Sequence, residues 1–190
     1  MTQLDPVTRF HGATLRVSMW MKEAADANSI WARFALNWMA FNALYDICDA
    51  KEERLRVLKS ALIYFNDESA ADLLVAQAAS VRTLTNPPPG DDRKPPTPED
   101  EYRKWGNRHR DVICSSAHPS LQLAHVLATI YQVRCNLIHG NKFPNVQRDR
   151  ELVVAGNSVM TQALDAMVRS LTFDPRANTT EITDWYKHLG

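Results

Sequence analysis

One arginine and one histidine, placed near the end of a helical pattern, are the residues best suited to chemistry. Leucine, valine and isoleucine recur there at helical spacing, at Leu123, Val126, Leu127, Ile130, Val133 and Leu137. Arg134 falls within that apolar arc, where its permanent charge needs an anion or several acceptors. His139 follows at the last turn, just before Gly140, a residue suited to a left-handed helix cap. A cation that holds phosphate and an imidazole that moves protons near neutral pH together suit chemistry on a phosphodiester.

Two stretches resemble a known family. The segment Arg134-Cys135-Asn136-Leu137-Ile138-His139, followed by Gly140 and Lys142, resembles the Arg-x4-His signature of HEPN domains. The stretch Trp38-Met39-Ala40-Phe41-Asn42-Ala43-Leu44-Tyr45 is similar to a Trp-x-x-Phe-Asn-x-Leu-Tyr segment of one branch of that family. HEPN domains are all-α, and many are metal-independent endoribonucleases.

The resemblance implies cleavage of RNA by attack of a 2′-hydroxyl on the adjacent phosphate. His139 would act as general base or acid, and Arg134 would stabilise the charge on the phosphoryl oxygens. Asn136 and Lys142 are expected in support, by positioning or by a further phosphate contact. The resemblance implies neither a metal nor another cofactor. It is compatible with a toxin or phage-defence effector that has an antitoxin-like protein partner.

Geometry adds a condition to this hypothesis. On an ideal helix, Arg134 and His139 are about 140° apart in rotation and ~7.5 Å apart along the axis. One copy therefore presents the two side chains poorly to the same phosphate. In the family, two motif helices face each other across a cleft, so we expect a homodimer.

A non-catalytic interaction module is the alternative. In that interpretation the fold binds a partner protein, a nucleotide or RNA, and Arg134 is an ion-pair residue at the interface. Cys135, at the position after the arginine, favours this alternative. A cleavage assay separates the two hypotheses, since only the enzyme turns RNA over.

The composition indicates one ordinary globular domain. The 190 residues are 45% hydrophobic and 23% charged, with 22 basic and 22 acidic residues, so the formal net charge is zero. RNA contact must then come from a local patch. The three cysteines, Cys48, Cys114 and Cys135, are scattered, which argues against a disulfide framework or a zinc site and favours a cytoplasmic protein. No stretch approaches the ~20 apolar residues of a membrane helix.

The patterns predict an all-α fold, a single HEPN-like domain over 1–190 with about five or six helices. Besides the motif helix from about 121, helices are expected near 13–27, 30–49, 51–65, 68–83 and 149–171. The second of these carries an aromatic stripe that we interpret as core, with Asn42 beside it, partly buried and hydrogen-bonded. Six of the ten prolines lie between Pro87 and Pro98, so residues 84–100 are predicted to form an exposed loop inserted in the bundle. Residues 173–190 are interpreted as a tail.

Two charged stretches remain. Cations surround an aromatic ring in the first, at Arg103, Lys104, Trp105, Arg108, His109 and Arg110. Such interleaving suits single-stranded RNA, although a solvated helix anchored by one tryptophan explains it as well. The second is the charge run from Lys51 to Arg56, which we interpret as a solvated helix face.

Overall fold

The computed structural model describes residues 6–46, 48, 50–95, 98–140 and 142–171. These residues form helices and no strand, which confirms the all-α prediction. The helices of the described part are α1 (Pro6–Asp26), α2 (Ile30–Tyr45), α3 (Glu53–Tyr64), α4 (Asp67–Ala76), α5 (Ala78–Thr85), α6 (Glu99–Tyr102), α7 (Lys104–Ile113), α8 (Pro119–Ile138) and α9 (Gln147–Leu171). The predicted tail over 173–190 lies outside the described residues.

The described part contains nine helices instead of the five or six expected, because the predicted helix 68–83 is divided and because α6 and α7 lie in a stretch that was not among the predicted helices. Gln77 has φ −107° and ψ 18°, and this break separates α4 from α5 within the expected helix 68–83. Arg103, at φ −102° and ψ 9°, separates the single turn of α6 from α7. Leu73, Leu74, Ala78 and Val81 keep helical spacing across the first break, so hydrophobic periodicity does not reveal it.

Local capping explains where several helices begin and end. The Ser29 hydroxyl accepts a hydrogen bond from the Trp31 amide at 3.3 Å, and Asn66 accepts one from the Ser69 amide at 2.8 Å. Pro119 occupies the start of α8, where a missing amide proton is no loss. Gly140 has φ +73° directly after that helix, as the sequence predicted.

Helix α8 lies at the centre of the bundle and packs against α3, α4, α7 and α9, while α2 packs against α1 and α9. The predicted aromatic stripe of α2 is buried. Its rings contact one another edge to face, with centroids 5.3 Å apart for Trp38 and Phe41 and 5.2 Å apart for Phe41 and Tyr45. The stripe meets α8 through Tyr131, whose ring centroid is 6.0 Å from that of Trp38. Both candidate motifs therefore adjoin one core.

The Pro-rich segment differs from its prediction. Its first residues, 84 and 85, are helical, and residues 88–91 are buried. The prediction of an exposed loop over 84–100 is therefore wrong for residues 84–85 and 88–91. Side chains from elsewhere bind its carbonyl groups: Arg103 binds Pro88, Asn136 binds Gly90 at 2.8 Å and Arg148 binds Pro87. Proline removes amide donors but leaves carbonyl acceptors. Polar side chains that the sequence pattern does not pair with these carbonyl groups supply the missing donors.

Candidate functional site at the end of helix α8

Arg134 lies one turn before the end of α8, with 23% of its side chain exposed. Its Nη1 is 3.4 Å from Oε2 of Glu53, which is long for a hydrogen bond between charged groups. Its Nε is buried and has no hydrogen-bond partner among the described residues. The guanidinium carbon is 5.6 Å from the ring centroid of Trp38 and 6.0 Å from that of Tyr131. The cation is thus held by aromatic faces and one weak ion pair, with donor capacity left over.

Glu53 is the carboxylate around which this site is assembled. It accepts hydrogen bonds from the hydroxyl groups of Tyr45 and Tyr131, the latter at 3.3 Å, and from Arg134. Burial raises the pKa of Tyr45 above its ordinary value, and the hydrogen bond to Glu53 raises it further. Burial also raises the pKa of Tyr131, and the contacts of its hydroxyl with Cys135 and Glu53 raise that pKa further. Both phenols therefore remain protonated donors at neutral pH.

A cavity of about 440 Å³ opens beside Arg134 between α1, α2 and α8. Its polar and aromatic lining includes two cations, two indoles, one amide and one carboxylate, the last paired with Arg56: Arg16, Arg134, Trp20, Trp38, Asn42 and Asp46. Asn42 is half-buried as expected, but its side chain forms no hydrogen bond with the described residues, contrary to our expectation. The cavity therefore combines apolar walls with polar groups that have unused hydrogen-bonding capacity, the usual composition of a ligand site.

His139 is the C-cap of α8 and is exposed. Its backbone amide donates to the carbonyl of Cys135 at 3.1 Å, which ends the helix. The histidine is not among the residues that line the cavity beside Arg134. Within one chain, the structure thus places the two predicted catalytic side chains at the same helix end without directing them to a common point.

The two predicted supporting residues have structural partners instead. Asn136 is fully buried, and its amide nitrogen donates to the Gly90 carbonyl at 2.8 Å. Its amide oxygen accepts from Gln132 at 2.9 Å and from the Asp92 backbone at 3.3 Å. Asn136 therefore fastens the Pro-rich segment to α8, and its hydrogen-bonding groups are already engaged.

Lys142 is buried as well, with 7% of its side chain exposed. Its Nζ lies 3.1 Å from a carboxylate oxygen of Asp92 and 2.6 Å from one of Asp149. Two carboxylates neutralise the ammonium group and exclude it from solvent. Lys142 therefore serves as a structural ion-pair residue instead of offering the predicted phosphate contact.

Most side chains of the predicted RNA-binding cluster on and beside α7 are buried or bound to other groups of the protein. Arg103 is bound by Glu99 and the Pro88 carbonyl, and His109 is buried. Ion pairs with neighbouring acids involve Lys104, with Glu101 at 3.5 Å, and Arg110, with Asp111 at 3.1 Å. Trp105 and Arg108 remain exposed, and the arginine lies 5.2 Å from the indole centroid. Of the six predicted residues, these two keep the character of a nucleic-acid contact.

Sequence reasoning missed Glu53 and Arg54, because the charge run that contains them was interpreted as a solvated face. Glu53 instead points to Tyr45 and Arg134, and Arg54 lies 4.4 Å from the ring centroid of Trp105. The only available signal was position: both residues stand in the first turn of α3, and Glu53 suits a helix N-terminus whereas Arg54 does not.

Comparison with protein-family models, curated proteins and solved structures finds no significant match to this chain. Within the part that the structure describes, no helix has the length and apolar character needed to cross a membrane. A search of the same residues finds no group of three or more His, Cys, Asp or Glu side chains placed to hold a metal ion.

Proposed function

We propose that this protein is a HEPN-type endoribonuclease that cleaves RNA without a metal ion. The observation that carries the proposal is the state of Arg134, a partly buried guanidinium on a cavity wall whose Nε has no partner among the described residues. A guanidinium cannot lose its charge, so an incompletely satisfied one beside an open cavity favours an anionic ligand. A phosphodiester supplies the oxygen atoms that its donors lack.

The proposed reaction is an internal transfer at phosphorus. The ribose 2′-oxygen attacks the adjacent phosphorus atom while His139 accepts the hydroxyl proton. The bond from phosphorus to the 5′-oxygen breaks, and a protonated imidazole returns a proton to that leaving oxygen. The products are a 2′,3′-cyclic phosphate and a free 5′-hydroxyl, so no water or metal is consumed in the step. Arg134 stabilises the charge that builds on the non-bridging oxygens.

A second copy of the chain completes the proposed site. One histidine cannot be both unprotonated base and protonated acid in the same turnover, whereas two copies of His139 can share these roles. Exposed apolar side chains near the cavity offer a surface for that copy, among them Met39, with 47% exposed, and Ile138, with 59% exposed. We therefore propose a symmetric homodimer, and light scattering that finds a strict 21.6 kDa monomer at micromolar concentration, with and without RNA, contradicts it.

The test is cleavage of labelled RNA in EDTA by the wild type and by single variants. The assignment is supported if Arg134→Ala and His139→Ala both lose RNA cleavage while circular dichroism shows that each variant remains folded. His118→Ala is a matched control, since this histidine is 84% exposed and lies at the other end of α8. Full activity in both motif variants, or a requirement for added magnesium, refutes the proposal.

The interaction module remains the second candidate, because Arg134 already has an ion-pair partner in Glu53. In that case Arg134 shapes a binding surface and RNA is never cleaved. The pH dependence separates the two candidates. An enzyme with two histidines in proton transfer gives a rate that rises and falls with pH, while binding to an uncleavable 2′-deoxy analogue changes less. A rate that only follows the binding curve removes His139 from proton transfer.

A further inference from the structure

Arg54 is a partly buried cation in an unfavourable position. It stands in the first turn of α3, where the helix dipole favours anions and disfavours cations. Burial lowers its pKa, and nearby Arg93 acts in the same direction, although Tyr131, Cys135 and Asp91 oppose them. The ion pairs formed by the described residues include none with Arg54. A charge kept in such a place without a carboxylate partner requires an explanation.

The surroundings of Arg54 orient its guanidinium but do not neutralise it. The guanidinium carbon lies 4.4 Å from the ring centroid of Trp105 and 5.6 Å from that of Tyr131. Nη2 donates to the side-chain oxygen of Gln132 at 2.9 Å, whereas Nε is buried without a partner among the described residues. Two aromatic faces and one neutral amide fix the direction of the cation. They leave both charge and donors for an anion.

Two further arginines stand close by. Arg108 is exposed and lies 5.2 Å from the centroid of the same Trp105 ring. Arg93 has half of its side chain exposed, but Asp91 neutralises it through two hydrogen bonds of 2.8 and 2.9 Å, so Arg93 is not counted as a phosphate ligand. Arg54 comes from α3 and Arg108 from α7, so the patch that these two cations form exists only in the folded chain.

Tyr131 connects this patch to the candidate catalytic site. Its ring centroid is 5.6 Å from the guanidinium carbon of Arg54 and 6.0 Å from that of Arg134. The two cations are therefore close enough for a few linked nucleotides to reach both. Because Arg54 is recessed between two rings, a flexible single strand can follow the patch more readily than a rigid duplex.

We infer that Arg54, with Arg108, forms a second phosphate-binding site that holds the backbone of single-stranded RNA leading to Arg134. The inference rests on the proposed function for its choice of substrate. It gives the ribonuclease a reason to prefer single strands, and it gives α7 a role in substrate binding that does not depend on the engaged cations of that helix.

The experiment measures binding of a fluorescent, uncleavable 2′-deoxy oligonucleotide by anisotropy over a series of salt concentrations. Arg54→Gln should weaken binding by about tenfold, the worth of one charge-assisted hydrogen bond to phosphate. The slope of log affinity against log salt should fall by about 0.7 for the lost cation. Arg54→Lys should keep most of the slope, because the charge remains. Arg82→Gln, at an exposed position on α5, should leave both quantities unchanged.

Arg108→Gln provides a second variant that cannot disturb the core, since Arg108 is exposed. It should lower the slope by a similar amount. Unchanged affinity and slope in both variants, with unchanged melting temperature, overturns the inference. If the wild type cleaves RNA and these variants cleave it with unchanged KM, the second site is refuted while the proposed reaction stands. Arg54-dependent binding without cleavage supports the second site and refutes the enzyme.

Discussion

Replacing Glu53 by glutamine tests the arrangement around Arg134 most directly. The substitution keeps the size of the side chain but removes its charge and converts one acceptor oxygen into a donor. Tyr45 binds one oxygen of Glu53, while Tyr131 and Arg134 bind the other, so either orientation of the amide leaves at least one donor unsatisfied.

The expected loss of stability follows from these contacts. A partly buried donor deprived of its acceptor costs about 1–3 kcal/mol. The lost attraction to Arg134 adds ~1 kcal/mol, because both side chains are about one quarter exposed and solvent screens the pair. We expect the free energy of unfolding to fall by about 2–4 kcal/mol. For a chain of this size, that lowers the melting temperature by roughly 5–15 °C.

The same change should strengthen RNA binding. If Arg134 binds phosphate as proposed, Glu53 competes with that phosphate through its ion pair, and removing the charge of Glu53 leaves the guanidinium free to pair with the ligand. We expect the affinity for a 2′-deoxy oligonucleotide to rise by about three- to tenfold. Glu52→Gln is the matched control, because Glu52 is the adjacent, exposed residue and makes no side-chain capping bond. If Glu53→Gln and Glu52→Gln are equally stable, the contacts of Glu53 do not stabilise the fold as expected. If Glu53→Gln binds the oligonucleotide more weakly than the wild type, Glu53 does not compete with phosphate for Arg134.

Three further predictions concern stability. Burial, with smaller contributions from a neighbouring histidine and a guanidinium, lowers the pKa of His109 to about 3. The unfolded chain therefore binds this proton first, so the free energy of unfolding should fall by ~1.4 kcal/mol for each pH unit below ~6.5. Urea titrations at several pH values between 7 and 4.5 should show that the free energy of unfolding depends less steeply on pH in His109→Gln than in the wild type. An equally steep pH dependence in both proteins contradicts the lowered pKa of His109. Lys142→Met should lower stability by about 3 kcal/mol in thermal melts, because two buried carboxylates lose their cation, and a neutral result contradicts this role. Gly90→Ala should destabilise by about 1–3 kcal/mol, because a Cβ there lies 2.2 Å from ring atoms of Tyr102, whereas Gly12→Ala should not, since its Cβ meets only a flexible side chain at 3.4 Å.

Patterns local in sequence were predictable. The last long helix was expected over 149–171 and is observed over Gln147–Leu171, because apolar residues at helical spacing report a buried face directly. The glycine after the motif helix was recognised for the same reason, since its φ of +73° is a local requirement. Helix existence and burial therefore follow from periodicity and capping.

Partners distant in sequence were not predictable. Glu53 and Arg134 are 81 positions apart, and nothing in a single sequence pairs a charge in one helix with a charge in another. The same limitation applies to Lys142, whose burial depends on Asp92 and Asp149 being brought to it by the fold. Periodicity identifies which face of a helix is apolar, but it does not identify which polar group will meet an ion across the core.

The central position of α8 has a consequence for synthesis. Seven helices of the described part precede it, yet α3, α4 and α7 all pack against it. Since a ribosome delivers the chain from its N-terminus, these helices emerge before the element that covers their apolar faces. The bundle can therefore close only after α8, which carries the arginine of the motif, and α9, which packs against α2 and α5, have been made. Chains interrupted before α8 lack both a closed core and the candidate catalytic residues, so they are open to proteases and cannot carry the proposed activity.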